Sequence, residues 1–270
     1  MSYNLLKGKK GIIFGALDEK SIAWRTALRC YEEGAQLVLS NAPVALRMGE
    51  INKLAGIVNA PVVPADVTNM DDLKKLFEES IKHFNGGVDF ILHSIGMGLN
   101  VRKGKKYTEL DYGFNQKTLD ISAMSLHRVL RTAWDMDAIN EAGSIVALTY
   151  IAAQRVFPDY SEMADAKALL ESVTRSFGYH YGMRKKVRIN TVSQSPTRTT
   201  AGSGIKGFDG FINFAEKMSP LGNATADECA DYCVTLFSDL TKMVTMQNLF
   251  HDGGFSTTGI TYSIVEQMEK

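Results

Sequence analysis

The sequence predicts a single α/β domain: a doubly wound, parallel sheet of about seven strands with helices on both faces. Three observations predict it. Short aliphatic or β-branched runs alternate with stretches of helical apolar spacing, the pattern of strands joined by crossover helices. No Pro/Gly/Ser linker, composition break, fixed-period repeat or charge block divides the 270 residues. A composition of 45% hydrophobic and 22% charged residues suffices for one core that needs no disulfide staples.

The elements follow in order. The run 11–14 opens the sheet. Over 21–33 the apolar residues Ile22, Trp24, Ala27, Leu28 and Tyr31 recur near helical spacing, Gly34 ends the pattern, and a second strand is expected at 37–39. That is one β-α-β unit. Further strands are expected at 62–64, 90–93, 144–148, 187–192 and 244–249, and helices at 71–83, 122–140 and 165–181. The stretch 194–210 has no clear assignment, and long loops in compact domains are usually functional.

Charge and cysteine usage narrow the partners. Thirty basic side chains against thirty acidic ones give a formal net charge of zero, so neither nucleic acid nor an anionic membrane is favoured. No apolar run approaches the roughly 18 residues of a spanning helix. The three cysteines, Cys30, Cys229 and Cys233, are an odd number, and no apolar leader opens the chain, so a cytoplasmic location is expected. Cys229 and Cys233 are four apart on an expected helix, yet no second pair or histidine cluster completes a metal site, so no metal is expected.

Gly8, Gly11 and Gly15 surround the first strand, and the turn from Gly15 to Ser21 leads into the first helix. A glycine admits a pyrophosphate close to the backbone, and a helix N-terminus offers unpaired N–H donors. The strict G-x-G-x-x-G spacing is absent, and a plain structural turn with Ser21 as helix cap explains the same residues equally well. Ser40-Asn41 after the second strand carries no acid for a ribose 2'-hydroxyl, and Arg47 suits either a 2'-phosphate or a solvated helix face. Asp66-Val67 and His93-Ser94-Ile95-Gly96-Met97-Gly98 follow two strands, where open α/β sheets bind ligands, although capping by Asp66 and tight turns at Gly96 and Gly98 account for them too.

Tyr160 and Lys167 are seven apart, close to two helical turns, which predicts that both leave one face of one helix. An ammonium beside a phenol favours its ionised form and so helps it donate to a developing oxyanion. An isolated pair of this kind is commonly a surface lysine and a half-buried tyrosine. Here it follows a strand end in a chain with dinucleotide-binding features.

With these residues the chain resembles the short-chain dehydrogenase/reductase superfamily and, within it, the divergent branch of bacterial NADH-dependent enoyl-[acyl-carrier-protein] reductases. The resemblance spans nearly the whole chain. It is carried by Ser21-Ile22-Ala23, Asp66-Val67, His93-Ser94-Ile95-Gly96, Tyr150 with Tyr160 and Lys167, Val187-Arg188-Ile189-Asn190, Arg198-Thr199, Ser203-Gly204-Ile205-Lys206 and His251-Asp252-Gly253-Gly254-Phe255. Ordinary carbonyl-reducing members place the tyrosine and lysine four apart with a serine upstream; the wider gap and a second tyrosine mark the enoyl reductases.

The resemblance implies a Rossmann-type fold and hydride transfer from NADH to the β-carbon of a trans-2-enoyl thioester in fatty acid elongation, with NADPH left open by the missing acid. Tyr160 would hydrogen-bond the thioester oxygen, Lys167 would hold the nicotinamide ribose, and Tyr150 would line the acyl pocket as a third catalytic residue. Cofactor contacts are implied for Gly15, Ser21, Ile22, Asp66 and Val67, then for Ser94, Ile95 and Gly96, and last for Pro196, Thr197 and Thr199. Met97, Gly98, Met163, Ile205 and Phe208 would shape the acyl pocket under a mobile lid at about 195–214. Acyl carrier protein is the implied partner and a homotetramer the implied assembly. Ser193-Gln194-Ser195-Pro196 departs from the smaller glycine-containing turn expected there, and beyond Lys206 the lid adds no positive charge. His93 is expected to pack, and Arg102-Lys103-Gly104-Lys105-Lys106 suits either a solvated loop or a carrier-protein contact. A carbonyl reductase and a non-catalytic dinucleotide sensor are the rival readings; the spacing opposes the first, and retention of both Tyr160 and Lys167 the second.

Overall fold

The structure, a computed structural model, describes residues 2–200, 202–204 and 207–269. The first unit is β1 (Lys10–Phe14), α1 (Ile22–Glu32) and β2 (Gln36–Ser40), followed by α2 (Pro43–Met48), α3 (Ile51–Ile57) and α4 (Met70–Phe84). Then come β3 (Val88–His93), α5 (Tyr112–Leu119), α6 (Ser125–Asp135), β4 (Ile139–Thr149) and α7 (Glu162–Lys185). The chain continues through β5 (Arg188–Gln194), α8 (Phe208–Met218), α9 (Ala226–Phe237), β6 (Asn248–His251) and α10 (Tyr262–Met268).

Among the described residues six strands form one sheet in the order β2-β1-β3-β4-β5-β6, every pair parallel. Side chains alternate along each strand, so the two faces bury different residues. Ile12, Phe14, Ile91 and Ile145 pack on Leu73 and Phe77 of α4, Leu126 and Leu130 of α6 and Leu170 of α7. Ile13, Phe90, Leu92 and Val146 pack on Trp24 and Ala27 of α1 and on Cys229, Cys233 and Phe237 of α9. Both faces are therefore covered. No helix among the described residues is long and apolar enough to cross a membrane.

Three expected elements come out differently. The strand at 62–64 is reduced to one bridge from Val62 to Leu39 on the edge strand β2, flanked by Pro61 and by Pro64, which has no N–H to extend a ladder. The helix at 122–140 begins as a π turn, Asp120–Met124, and ends at Asp135; Asp137 takes φ 51°, and β4 starts at Ile139. The strand at 244–249 starts only at Asn248, because Met246 has φ 61° and breaks the extended backbone.

Candidate active site

The sheet order reverses at β1, whose neighbours are β2 and β3, and the crevice lies beyond the carboxyl ends of β1 and β3. Their following residues meet there: a Cβ on Gly15 would lie 2.0 Å from Ser94 O, and Gly15 has φ +93°. Only glycine fits this backbone-to-backbone contact. Ser21 caps α1, accepting from the Trp24 N–H at 3.3 Å while its hydroxyl donates to Asp18 O at 2.8 Å, so α1 starts at Ile22 with its N-terminus near the crevice. Asp66 closes a local turn instead of capping α4, its Oδ1 accepting from the N–H and hydroxyl of Thr68 at 2.9 and 2.7 Å; Asn69 is the cap. Val67 is buried in the core.

Tyr150 follows directly on β4. Tyr160 sits in a separate 3₁₀ turn, Pro158–Tyr160, and not on the helix of Lys167. Ser161, at φ 49° and ψ −137°, lies outside helical geometry and forces α7 to begin at Glu162. The two tyrosines nevertheless meet, with ring centroids 5.1 Å apart at 54°, and neither hydroxyl bonds to another described residue. Lys167, 8% exposed, donates from Nζ to Leu148 O at 2.8 Å and stands 3.9 Å from the Cβ position of Gly96, which is itself exposed.

Electrostatics differ from the expectation for this pair. Burial pushes both phenols well above the ordinary tyrosine range, with no offsetting pull from Lys167. Tyr160 is therefore a neutral hydrogen-bond donor, and the lysine does not promote its ionisation. Burial pushes Lys167 down to about 8. His93, fully buried at the end of β3, is held down to about 3 by burial and by the nearby Lys167 charge; its Nε2 lies 2.9 Å from Ser125 Oγ. It packs as a neutral side chain.

The 94–101 segment walls the site. Ser122 Oγ accepts from the Met97 N–H at 2.9 Å. A Cβ on Gly98 would fall 2.4 Å from Val101 and 2.7 Å from Met163, so Gly98 lets the segment lie against Met163, which is 7% exposed. Glu162, fully buried, clamps the segment to α7: its carboxylate accepts from the N–H groups of Asn100 and Val101 at 2.7 and 3.1 Å and from Thr118 Oγ1 at 3.2 Å.

The described residues of the 195–214 segment are held from several sides. Gln194, 4% exposed, bonds His251 Nδ1 at 2.7 Å through Oε1, and its Nε2 donates to Ala224 O and Thr197 Oγ1 at 3.0 and 3.2 Å. The departure at this position is thus a tether between β5, β6 and the loop before α9. Pro196 is buried, Thr197 Oγ1 donates to Ser195 O at 2.9 Å, and Thr199 Oγ1 accepts from the Gly202 N–H at 3.0 Å. Thr200 Oγ1 donates to Asp18 at 2.5 Å, and Arg198 pairs with Asp209. Phe208 lines a cleft of about 600 Å³ with Lys20, Arg198, Thr199 and Thr200. Ile205 lies outside the described residues.

Other aromatics gather at the tyrosines. Phe157 lies 5.3 Å from Tyr150, with Phe211 and Phe255 at 5.9 and 6.1 Å from Phe157. Sequence reasoning missed all three. Phe157 and Phe255 had a signal, one lying between the two tyrosines and the other closing Asp252-Gly253-Gly254-Phe255; Phe211 had none beyond its place in the expected lid at about 195–214.

A family model described as Enoyl-(Acyl carrier protein) reductase matches residues 15–256. Enoyl-[acyl-carrier-protein] reductase [NADH] FabI of Rickettsia bellii (strain RML369-C) is 34% identical over 262 residues, covering 96% of this chain and 98% of that protein. The crystal structure of the FabI-NADH complex from Alistipes finegoldii superposes with a TM-score of 0.95 at 63% identity, covering 96% of this chain and 92% of that one. The Bacillus cereus enoyl-acyl carrier protein reductase with NADP+ and indole naphthyridinone gives a TM-score of 0.88 at 31% identity, covering 95% and 99%.

Proposed function

The chain belongs to the enoyl-(acyl carrier protein) reductase family, and from that premise we propose how its residues divide the work. The protein is an NADH-dependent enoyl-[acyl-carrier-protein] reductase of fatty acid synthesis, acting on a carrier-bound thioester. The observation that carries the assignment of the site is the Tyr150–Tyr160 contact at the end of β4, with both hydroxyls unpartnered among the described residues and Lys167 beside Gly96.

These residues fit the cofactor. The bare Cα of Gly15 against Ser94 and the N-terminus of α1 leave room and donors for a diphosphate, and Asn41, whose Nδ2 donates to Ala16 O at 3.0 Å, puts no acid beside an adenosine ribose. When bound, the reduced nicotinamide supplies hydride to the β-carbon of the enoyl thioester, and negative charge grows on the thioester oxygen. Tyr160, kept neutral by burial, donates its phenolic hydrogen bond to that oxygen; the donor is preoriented and gains strength as the charge grows. Lys167, with one Nζ hydrogen anchored on Leu148 O, would hold the ribose hydroxyls with those that remain. Tyr150, Phe157 and Phe211 would line the acyl chain together with Met163 and the Met97-Gly98 segment that packs against it. Asp66, Val67, Ser94 and Ile95 would hold the adenosine side, and Ser21, Ile22, Pro196, Thr197 and Thr199 would hold the diphosphate and nicotinamide. The 195–214 segment acts as a lid hinged on the Gln194 tether. A cytoplasmic homotetramer completes the proposal, with the exposed side chains of Leu221, Ile260 and Tyr262 as apolar surface for self-association.

Loss of NADH absorbance with a crotonyl thioester, set against a ketone and against no acceptor, tests the reaction. The expected result is turnover with the thioester alone. A tenfold preference for NADPH, about 1.4 kcal/mol, would overturn the cofactor assignment, and size-exclusion chromatography tests the assembly.

A further inference from the structure

Glu171 is a buried carboxylate that the mechanism above leaves unused. It lies one helical turn beyond Lys167 on α7 and is 5% exposed. Its Oε1 accepts from Thr149 Oγ1 at 3.0 Å, and its Oε2 from Gln154 Nε2 at 3.1 Å. These two donors bracket Tyr150: Thr149 ends β4, and Gln154 follows the 3₁₀ turn Ile151–Ala153. One residue before Thr149, Leu148 O takes the Lys167 Nζ hydrogen bond at 2.8 Å. Two successive turns of α7 therefore stitch the 148–154 segment in place, one with an ammonium and the next with a carboxylate.

We infer that Glu171 is a positioning residue for the reduction: it clamps the Tyr150-bearing segment to α7 and supplies the negative charge that keeps Lys167 an ammonium. The inference rests on the role of Lys167 stated above. Burial drives the Lys167 proton off, and the charge of Glu171 is what opposes that loss. Among the charged groups, Glu171 is the one that acts on the ammonium; His93 at the end of β3, which feels the Lys167 charge, is neutral, and Asp252 acts on Tyr150 and not on Lys167. Arg155, exposed, donates to Gln154 O at 3.0 Å. A carboxylate accepts from both donors at once, whereas a glutamine must give its oxygen to the Gln154 amide and its NH2 to the Thr149 hydroxyl, which then accepts, so the clamp survives while the charge is lost.

The test measures kcat and kcat/KM for a crotonyl thioester and the NADH dissociation constant from about pH 6 to about pH 10, spanning the lysine limb, in wild type, Glu171→Gln, Glu171→Asp and Gln154→Ala. Glu171→Gln is expected to move the alkaline limb of kcat/KM and of NADH binding lower, by up to about one pH unit, because an opposite charge one helical turn away is lost. Glu171→Asp keeps the charge, so its limb stays at the wild-type position while kcat falls. Gln154→Ala loosens the clamp alone and lowers kcat about threefold, with the limb and NADH binding unchanged. A folded Glu171→Gln with a wild-type limb, or an aspartate variant whose limb shifts, overturns the charge role. If Glu171→Gln does not fold, wild-type kcat in both Glu171→Asp and Gln154→Ala overturns the clamp. Wild-type protein that fails to oxidise NADH with the thioester would instead overturn the enoyl reductase mechanism, which keeps the two failures apart.

Discussion

Replacing Glu162 by glutamine tests whether a buried carboxylate holds the acyl-pocket wall to the catalytic segment. The side chain has no exposed surface, accepts three hydrogen bonds at 2.7 to 3.2 Å, and has no cation partner among the described residues. Two effects compete. Burying an unpaired carboxylate costs desolvation that a neutral isostere avoids. Against that, each hydrogen bond to a charged acceptor contributes about 1.5 to 3 kcal/mol, and a buried donor left without a partner costs about 1 to 3 kcal/mol. The Val101 N–H meets Oε2, so a glutamine whose oxygen serves Asn100 and Thr118 turns its NH2 toward that N–H. The donors win, and the expected destabilisation is about 2 kcal/mol for Glu162→Gln and about 4 kcal/mol for Glu162→Ala, which strands all three. For a chain of this size about 2 kcal/mol lowers Tm by roughly 4 °C. Urea unfolding at fixed protein concentration measures it, since subunit association would otherwise move the midpoint. Because the clamp fixes Val101 against Gly98 and Met163, KM for the enoyl thioester should rise about tenfold while the NADH dissociation constant changes less than about twofold. A Glu162→Gln protein as stable as wild type with an unchanged thioester KM would refute the reasoning.

The other expectations follow from the same contacts. Tyr160→Phe removes one donor to the thioester oxygen; an irreplaceable oxyanion donor contributes roughly 2.7 to 4 kcal/mol, and the Tyr150 hydroxyl nearby makes the loss smaller. Lys167→Ala should weaken NADH binding as well as turnover, so single-turnover rates and NADH titrations separate the two, and loss of NADH binding in Tyr160→Phe alone would reverse the assignment. With Lys167 pushed down from an ordinary 10.5 to about 8, NADH affinity should fall as pH rises through 8. Over the same window, 8 to 10.5, the unfolded chain holds a proton that the folded chain has released, so the lysine's contribution to stability rises with pH; fluorescence titration and urea midpoints should therefore move in opposite directions. Gly15→Ala places a Cβ 2.0 Å from Ser94 O at φ +93°; the left-handed backbone alone costs roughly 1 to 2 kcal/mol, and a variant that binds NADH with a wild-type urea midpoint would contradict the account of this turn. Asp18→Ala removes the Thr200 hydrogen bond, so amide exchange at 202–204 and 207–214 should quicken in the NADH complex, and unchanged exchange would show that this contact does not hold the proposed lid.

Much of the architecture was legible in local pattern. Apolar residues recurring by two or by 3.6 direct side chains to one face whatever the rest of the chain does, so β1, α1, β2, α4 and the core of β3, β4 and β5 could be placed from periodicity. Gly15, Tyr150, Tyr160 and Lys167 were legible as candidates because their spacing and residue types match a known family. What periodicity could not deliver depends on closure of the chain. Tyr160 leaves the helix because Ser161 adopts a positive φ that no local preference for serine specifies, and it still reaches Tyr150 because the turn folds back over the end of β4. The pattern at 62–64 reads as a strand locally, but pairing needs a partner edge and free N–H groups, and the prolines around it limit it to one bridge. The long-range bonds of the Gln194 tether, the Phe157–Phe211–Phe255 group and the clamps of Glu162 and Glu171 join residues from 17 to 98 positions apart. A carboxylate in the sequence reads as surface, and only the tertiary fold decides which ones are buried, because burial and hydrogen-bond satisfaction are properties of the packed interior and not of any local stretch.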